Sequence, residues 1–531
     1  MDRMIRRRRR HALVRALAAG IALSLGIAPG GCARKLPIDE GRLVMALPGT
    51  PVSLDPRLAT DAYGEQILQM THASLVRLSA AGEPVPDLAA AWETPDARTY
   101  VFRLRPGLRF HDGRPVTADD VRATFSWILD PANRSPHRAM YRYIRQIDTP
   151  DARTVVFRLA EPFAPFLSSL ARGIVPRGSP AGGYTPPPGA GPYRIDDVSP
   201  DGEAALSAFD AYYGGAPAIR AVTVKFLPDS NVRFLELRTG TVNFALNGVD
   251  PDLLPTAAAT GRLAVEEAPG GNVSYLGFNL RDRALSDRRV RRAIALAIDR
   301  EAIVRTIWKG HADVVESILP PGSWAIAGDL PPVRPDLPGA RRLLDEAGYR
   351  VPGGDPSRPR LRLTYKTSQN EVRLRVATVI QEQLRAIGIA LEIQSLEWGT
   401  FFSDVKKGNF QLYGLTWVGI SDPDIYYHAF HSRSTPPDGA NRGGYANGEV
   451  DRLTEAARRE PVRERRRAMY RQVQRILARD LPVLPLWAGR NVLVRDRRLA
   501  GFVLRPDESY EPVRAMRIVP GAGGPRGPEP R

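Results

Sequence analysis

Residues 275–304 read YLGFNLRDRALSDRRVRRAIALAIDREAIV. The segment opens on a short apolar run, Tyr275, Leu276 and Phe278, with strand character, bounded by Asn279 and a charged turn. A helix is then expected. Ser286 is placed to accept a hydrogen bond from the free N–H groups of its first turn, and Asp287 adds negative charge where the helix dipole is positive. Val290, Ile294, Ala297 and Ile298 follow on one helical face. A strand feeding a helix in mid-chain, with α/β patterns on both sides, predicts a crossing between two lobes.

Working outward, a chain of 531 residues exceeds one hydrophobic core, so more than one domain is expected. Its 43% hydrophobic and 25% charged residues fit a globular chain, and nothing beyond the N-terminus is apolar for long enough to span a membrane. Of the net charge of +17, residues 1–31 carry +6, from seven arginines against Asp2, which leaves +11 for the rest. Those remaining arginines are interleaved with acids, and runs such as Arg465–Arg467 read as a solvated helix face, so no nucleic-acid partner is expected.

Residues 1–31 read as a signal peptide. Arg6–Arg10 form a positive leader, Ala12–Ile27 an apolar stretch, and Pro29-Gly30-Gly31-Cys32 follows. Cys32 is the only cysteine and stands where a bacterial lipoprotein is cleaved and lipidated, with Pro29 at the position that motif gives to leucine. Plain signal-peptidase cleavage is the alternative, and the arginine run suits either the general or the twin-arginine export route. No internal disulfide is available, so stability must come from packing.

Further motifs follow in order. Ser53-Leu54-Asp55-Pro56 comes after a first strand at Arg42–Leu47, then Pro86-Asp87-Leu88-Ala89 with Trp92. Phe110-His111-Asp112-Gly113 precedes Thr117-Ala118-Asp119-Asp120, read as a hairpin turn and then a capping box. Gly189-Ala190-Gly191-Pro192-Tyr193 and the Asp229…Gly240…Asn243 stretch come before the opening segment. Together these resemble the family-5 solute-binding proteins of ABC importers, the dipeptide, oligopeptide and nickel binders. The family ends the last of those motifs in aspartate; this chain has Asn243.

The resemblance implies an α/β fold: a bilobal periplasmic-binding-protein type II architecture (cluster C) with an extra subdomain in the first lobe. Residues 42–280 would form lobe I, with the subdomain at about 77–200. Residues 281–487 would form lobe II, 488–517 would return to lobe I, and 518–531 would be a disordered tail. The middle of the chain carries the strand–helix–strand pattern of a parallel sheet, Leu361–Tyr365, then a helix with Val376, Ile380 and Leu384 on one face, then Ile389–Ile393. Implied partners are a small peptide or other small solute and an ABC permease in the cytoplasmic membrane, with a lipid anchor on Cys32 and a monomeric state. Rival classes are a binder of glycans or metal chelates, a sensory binder, and an extracytoplasmic hydrolase.

No Gly-x-Ser-x-Gly elbow, Walker A loop or HExxH is present, so neither catalysis nor a cofactor is expected. His428 and His431, three apart, could share a helix face and bind a metal, but they lie in an aromatic stretch where packing explains them as well, and no metal is expected. The stretch with functional promise is Trp417–Tyr427, WVGISDPDIYY, a strand end opening into an Asp/Pro turn. In the family's peptide binders an aspartate three residues after this tryptophan pairs with the peptide's amino group. Here that residue is Ile420. Either Asp422 substitutes, or the ligand is not a standard free-amine peptide. The remaining candidates for ligand contact are Ser53 and Leu54 at the cleft rim, Tyr275 and Asn279 at the crossing, and Arg373 for a ligand carboxylate.

Overall fold

The computed structural model describes residues 36–182, 185–199, 202–355 and 357–520. Cys32, the signal segment and residues 521–531 lie outside the described residues.

Two long antiparallel strands, Leu263–Phe278 and Val483–Asp496, pair from Leu263 with Asp496 to Gly277 with Val483. Their register breaks between Pro269 and Val273. Proline has no N–H to give to a ladder, and the glycines after it let backbones almost touch. A Cβ on Gly270 would lie 2.0 Å from the Gly489 carbonyl oxygen, and one on Gly271 2.6 Å from that of Pro506. On one side of the break, Leu493–Arg495 pair with Phe244–Leu246, which leads through Arg42–Leu47 and the parallel Ala221–Phe226 to two further antiparallel strands. On the other side, Val273–Phe278 pair with Leu412–Trp417, followed by Leu361–Ser368 and Ile389–Leu396, all parallel to one another. A single sheet therefore runs through both lobes. The crossing falls inside the strand at Pro269–Asn272, earlier than the turn after Asn279 where the sequence pattern put it.

The helix after the crossing is Arg288–Ala297. Its N-cap is Asp287, which accepts from the Arg289 N–H, rather than Ser286, whose hydroxyl turns back to the Arg283 carbonyl. The carboxylate wins because it also holds the Arg289 guanidinium at 2.7 Å. Val290, Ile294, Ala297 and Ile298 are buried as their spacing requires, in one core with Leu276, Phe278, Leu384, Leu412 and Leu484. The expected parallel unit is present: Leu361–Ser368 and Ile389–Leu396 are joined by helix Glu371–Arg385, which stops before Gly388 in the left-handed conformation (φ 82°).

A separate four-stranded antiparallel sheet, in the order Ala89–Asp96, Thr99–Leu104, Thr154–Leu159, Ile144–Asp151, carries its own core. Val121, Phe125 and Ile128 of helix Ala118–Leu129 pack on it, with Phe125 and Phe157 edge to face at 5.4 Å. The Asp120 carboxylate takes the Thr117 N–H at 2.8 Å, completing the capping box. Beyond the second crossing strand the chain lays Tyr510, Val513 and Met516 into the lobe I core, and Arg517–Ile518 pair with Leu499–Ala500. Regular structure thus reaches Ile518, a residue that composition alone assigned to the tail.

Asn243 is fully buried where the strands Arg42–Leu47 and Phe244–Leu246 meet through the single pair Met45 and Phe244. Its Oδ1 accepts the Val44 N–H at 2.9 Å and its Nδ2 donates to the Arg42 carbonyl at 3.0 Å, so the side chain substitutes for missing ladder bonds. In Asn243→Asp a carboxylate oxygen would face that carbonyl with no proton between them. Urea unfolding of this variant is expected to show a loss of about 2 kcal/mol.

Candidate binding cleft

Strand direction aims both lobes at one groove. In lobe I, Arg42–Leu47, Ala221–Phe226 and Phe244–Leu246 run parallel, and the last delivers Asn247, whose N–H bonds to the Val492 carbonyl beside the crossing. In lobe II the parallel strands end at Ser368, Leu396 and Trp417, and Trp417 pairs with Val273 immediately after the register break. The carboxyl edges of the two half-sheets therefore meet at the crossing strands, and that edge is where open α/β sheets bind ligands. Asn272, in the break, touches both sides. Its Nδ2 donates to Glu508 Oε1 at 2.5 Å and its Oδ1 accepts the Gly419 N–H at 3.4 Å.

The lobe II wall is a ladder of rings and guanidinium groups. Trp417 stacks on Tyr275 (5.5 Å, 12°), Arg442 lies over both Trp417 (5.1 Å) and Phe402 (5.5 Å), Phe402 stacks on Trp398 (5.5 Å, 7°), and Arg373 lies over Trp398 (5.3 Å). Arg442 also donates to the Tyr275 hydroxyl at 2.8 Å. Among the described residues neither Arg373 nor Arg442 forms an ion pair with a carboxylate, and burial lowers the Arg373 pKa from its ordinary value. Among the same residues, Trp417 Nε1 and Arg442 Nε are buried without a hydrogen-bond partner. Such groups ask for an acceptor, and an anion offers one.

The residues expected from sequence divide sharply. Trp417 stands at the strand end, half-buried, with Tyr275 as its buried backing. Arg373 begins the helix after Ser368, and Ser53 lies half-buried on the loop leaving the first strand, its hydroxyl accepting the Asp55 N–H. Leu54 is 1% exposed in the lobe I core, turned inward by that turn, so it presents nothing to a ligand. Asn279 is at the far end of its strand: it donates to the carbonyls of Gly408 (3.2 Å) and Phe410 (2.7 Å) and ties the amino edge of the sheet, away from the cleft. Ile420 packs, half-buried, in the apolar cluster of Tyr426 and Tyr470.

Asp422 is not a free carboxylate. Arg466 grips both its oxygens at 2.8 and 3.2 Å, and Oδ1 also accepts the Asp424 N–H. Asp424 pairs with Arg458 at 2.9 Å, and burial pushes its pKa up to about 6. Arg458 in turn covers Tyr427 at 3.7 Å and reaches Tyr143 and Phe163 of the small-sheet subdomain, where the Ala164 N–H bonds to its carbonyl at 2.7 Å. The Asp-Pro-Asp turn is thus a bracket between the cleft loop and two helices. His431 bonds Glu455 at 3.0 Å, and its ring lies 4.3 Å from that of Tyr427.

Arg442, Asn272 and Glu508 lie at the cleft without having been read from the sequence. Pro269-Gly270-Gly271-Asn272 carried the one usable signal, a proline–glycine interruption inside a strand pattern. Glu508 reads as a surface turn in Asp507-Glu508-Ser509 and shows its role only through distant partners. It sits in the left-handed region (φ 56°) and is half-buried; burial pushes its pKa up to about 7, aided by the Asp507 charge and opposed by a hydrogen bond from Asn247.

A model for family proteins described as bacterial extracellular solute-binding proteins, family 5 Middle, matches residues 83–437. The chain is 26% identical over 528 residues to the dipeptide-binding protein of Escherichia coli K12, covering 91% of this chain and 96% of that one. Among solved structures it is similar to the oligopeptide-binding protein AppA of Bacillus subtilis in complex with a nonapeptide (TM-score 0.77, 26% identity, 90% of this chain and 99% of that one). It is also similar to the periplasmic binding protein DppA of Helicobacter pylori in complex with the peptide STSA (TM-score 0.76, 25% identity, 90% and 98%).

Two outcomes follow from the cleft geometry. The Asp422 and Arg466 side chains are 13% and 8% exposed, so Asp422→Asn leaves a buried guanidinium uncompensated and is expected to cost about 3 kcal/mol in denaturant unfolding. Glu508 favours its neutral form in the fold, so its contribution is fully present below the ordinary carboxylate value of 4.5 and is lost as pH rises to about 7. Glu508→Gln fixes the neutral form. Melting curves at pH 5 and pH 8 should show the variant gaining on the parent at the higher pH.

Proposed function

The chain belongs to the bacterial extracellular solute-binding proteins of family 5, and from that premise we propose that it captures a peptide or peptide-like solute between its lobes and hands it to an ABC permease. The observation that carries the reading is the ladder of Trp417, Arg442, Phe402, Trp398 and Arg373 at the meeting of two carboxyl edges. Flat rings receive side chains of varied shape, and two guanidinium groups without carboxylates suit a ligand's terminal carboxylate. The relatives solved with bound peptides support the same substrate class.

The mechanism is a biased two-state equilibrium. Ligand favours closure only through contacts that both lobes make to it at once, and the crossing strands, interrupted at Pro269–Asn272, are where the backbone bends. The closed, loaded form docks on the permease, and a lipid on Cys32 keeps the monomeric binder near it. No chemical step is assigned: Asp422, Asp424 and His431 are each committed to a side-chain partner.

A thermal-shift screen of the mature protein against di- to pentapeptides, oligosaccharides and nickel chelates tests this. Peptides should raise the melting temperature, with about 2.7 kcal/mol of added stability at a hundredfold excess over Kd. Trp417→Ala should weaken peptide binding at least tenfold, about 1.4 kcal/mol. Stabilisation by oligosaccharides or chelates alone would sink the peptide reading.

A further inference from the structure

The cleft loop lacks a free carboxylate on its own lobe. Ile420 is apolar, Asp422 is held by Arg466 and Asp424 by Arg458. Other acids near the groove are also committed: Asp61 caps a helix at the Gly64 N–H and accepts from Val52, Asp404 pairs with Lys366, and Asp507 pairs with Arg505. Glu508 differs from all of these. Among the described residues it forms no ion pair, and its carboxylate accepts from Asn272.

Its position is fixed with some rigidity. The turn around it is pinned by the Gly271 N–H on the Pro506 carbonyl (2.7 Å), by Asn491 Nδ2 on the Arg505 carbonyl (2.7 Å), and by the Tyr510 N–H on Gln69 Oε1 (2.8 Å). These anchors hold Glu508 in a backbone region that non-glycine residues avoid, a type of strain that clusters at ligand sites. The same Asn272 that donates to Glu508 accepts the N–H of Gly419, the residue next to Ile420. One asparagine side chain therefore separates Glu508 from the loop that lacks an acid.

We propose that Glu508 receives the ligand's cationic amine, supplying from the first lobe the carboxylate that Ile420 does not. The proposal rests on the peptide reading above and sharpens it. With Glu508 on one lobe and Arg373 and Arg442 on the other, a zwitterionic peptide spans the groove, ammonium to carboxylate and carboxylate to guanidinium. Both charges of the ligand then reward closure, because each needs a different lobe.

The test uses the mature protein, freed of co-purifying solute, in thermal-shift and calorimetric titrations. The probes are an equimolar mixture of di- to pentapeptides and the same mixture N-acetylated. The parent should respond to the free-amine mixture and at least tenfold more weakly to the acetylated one. Glu508→Gln should lose that preference, and Glu508→Asp should recover part of it. A Glu508→Gln protein that binds free-amine peptides like the parent overturns the proposal and leaves the peptide reading standing, as does a parent that takes acetylated peptides equally well. Response to oligosaccharides or nickel chelates with none to either peptide mixture overturns both. Should Glu508→Gln fail to fold, the parent's amine preference and the Glu508→Asp titration decide.

Discussion

The pairing of Leu263–Phe278 with Val483–Asp496 is the constraint on which the rest of the molecule depends. Because these strands are continuous through both lobes, the two half-sheets share one hydrogen-bonded frame. Their antiparallel partners on either side must then run toward the crossing, which turns the carboxyl edges of both lobes to face each other. The frame is interrupted where Pro269, Gly270 and Gly271 stand, and shifts register once more between Ser274 and Tyr275; at the two glycines the backbones approach too closely for any side chain. In the proposed closure, bending would concentrate at the gap between Pro269 and Val273, where ladder bonds are missing.

The surplus of basic residues is mostly absorbed by structure. Arg57 holds Asp55, Arg300 holds Glu316, Arg466 holds Asp422, and Arg291 gathers the carbonyls of Leu285, Ser286, Asp480 and Leu481. Buried pairs of this kind add little net stability over apolar packing, but removing one partner is costly, so they fix geometry. Arg233 is likewise absorbed by carbonyls, those of Leu227, Pro228 and Gly248, whereas Arg373, Arg442 and Glu508 form no ion pair among the described residues and lie together at one groove. Their location at one groove, rather than scattered over the surface, is what gives the observation meaning.

What the sequence made legible was local. The helical face of Val290, Ile294 and Ala297, the Thr117–Asp120 box, the parallel unit around Glu371–Arg385 and the strand end at Trp417 each follow from neighbours within a few residues. What escaped depends on partners far along the chain. Asp422 offered a carboxylate in the right loop, yet Arg466 removes it from use across 44 residues. Asn279 sits beside the crossing in sequence and at the wrong end of the strand in space. Leu54 shares its motif with Ser53 but points the other way. Glu508 meets Asn272 across 236 residues, a contact no periodicity encodes.

The contacts between subdomain and lobe II bear on how closure is driven. Arg459 with Glu161 and Arg463 with Glu83 are surface pairs, each worth about 0–1 kcal/mol, and salt screens them. The better-shielded contact is Arg458, stacked among Tyr143, Phe163 and Tyr427 with its carbonyl on the Ala164 N–H. A few such contacts hold the lobes in reach of each other without committing them. Under the proposed closure, a ligand that touches both lobes adds to these contacts and contributes only the difference between one lobe's contacts and two. The bracket of Asp422, Asp424, Arg458 and Arg466 ties the Trp417 loop to the very helices that touch the subdomain, so that in the proposed closure the loop and the rim share one set of ion pairs.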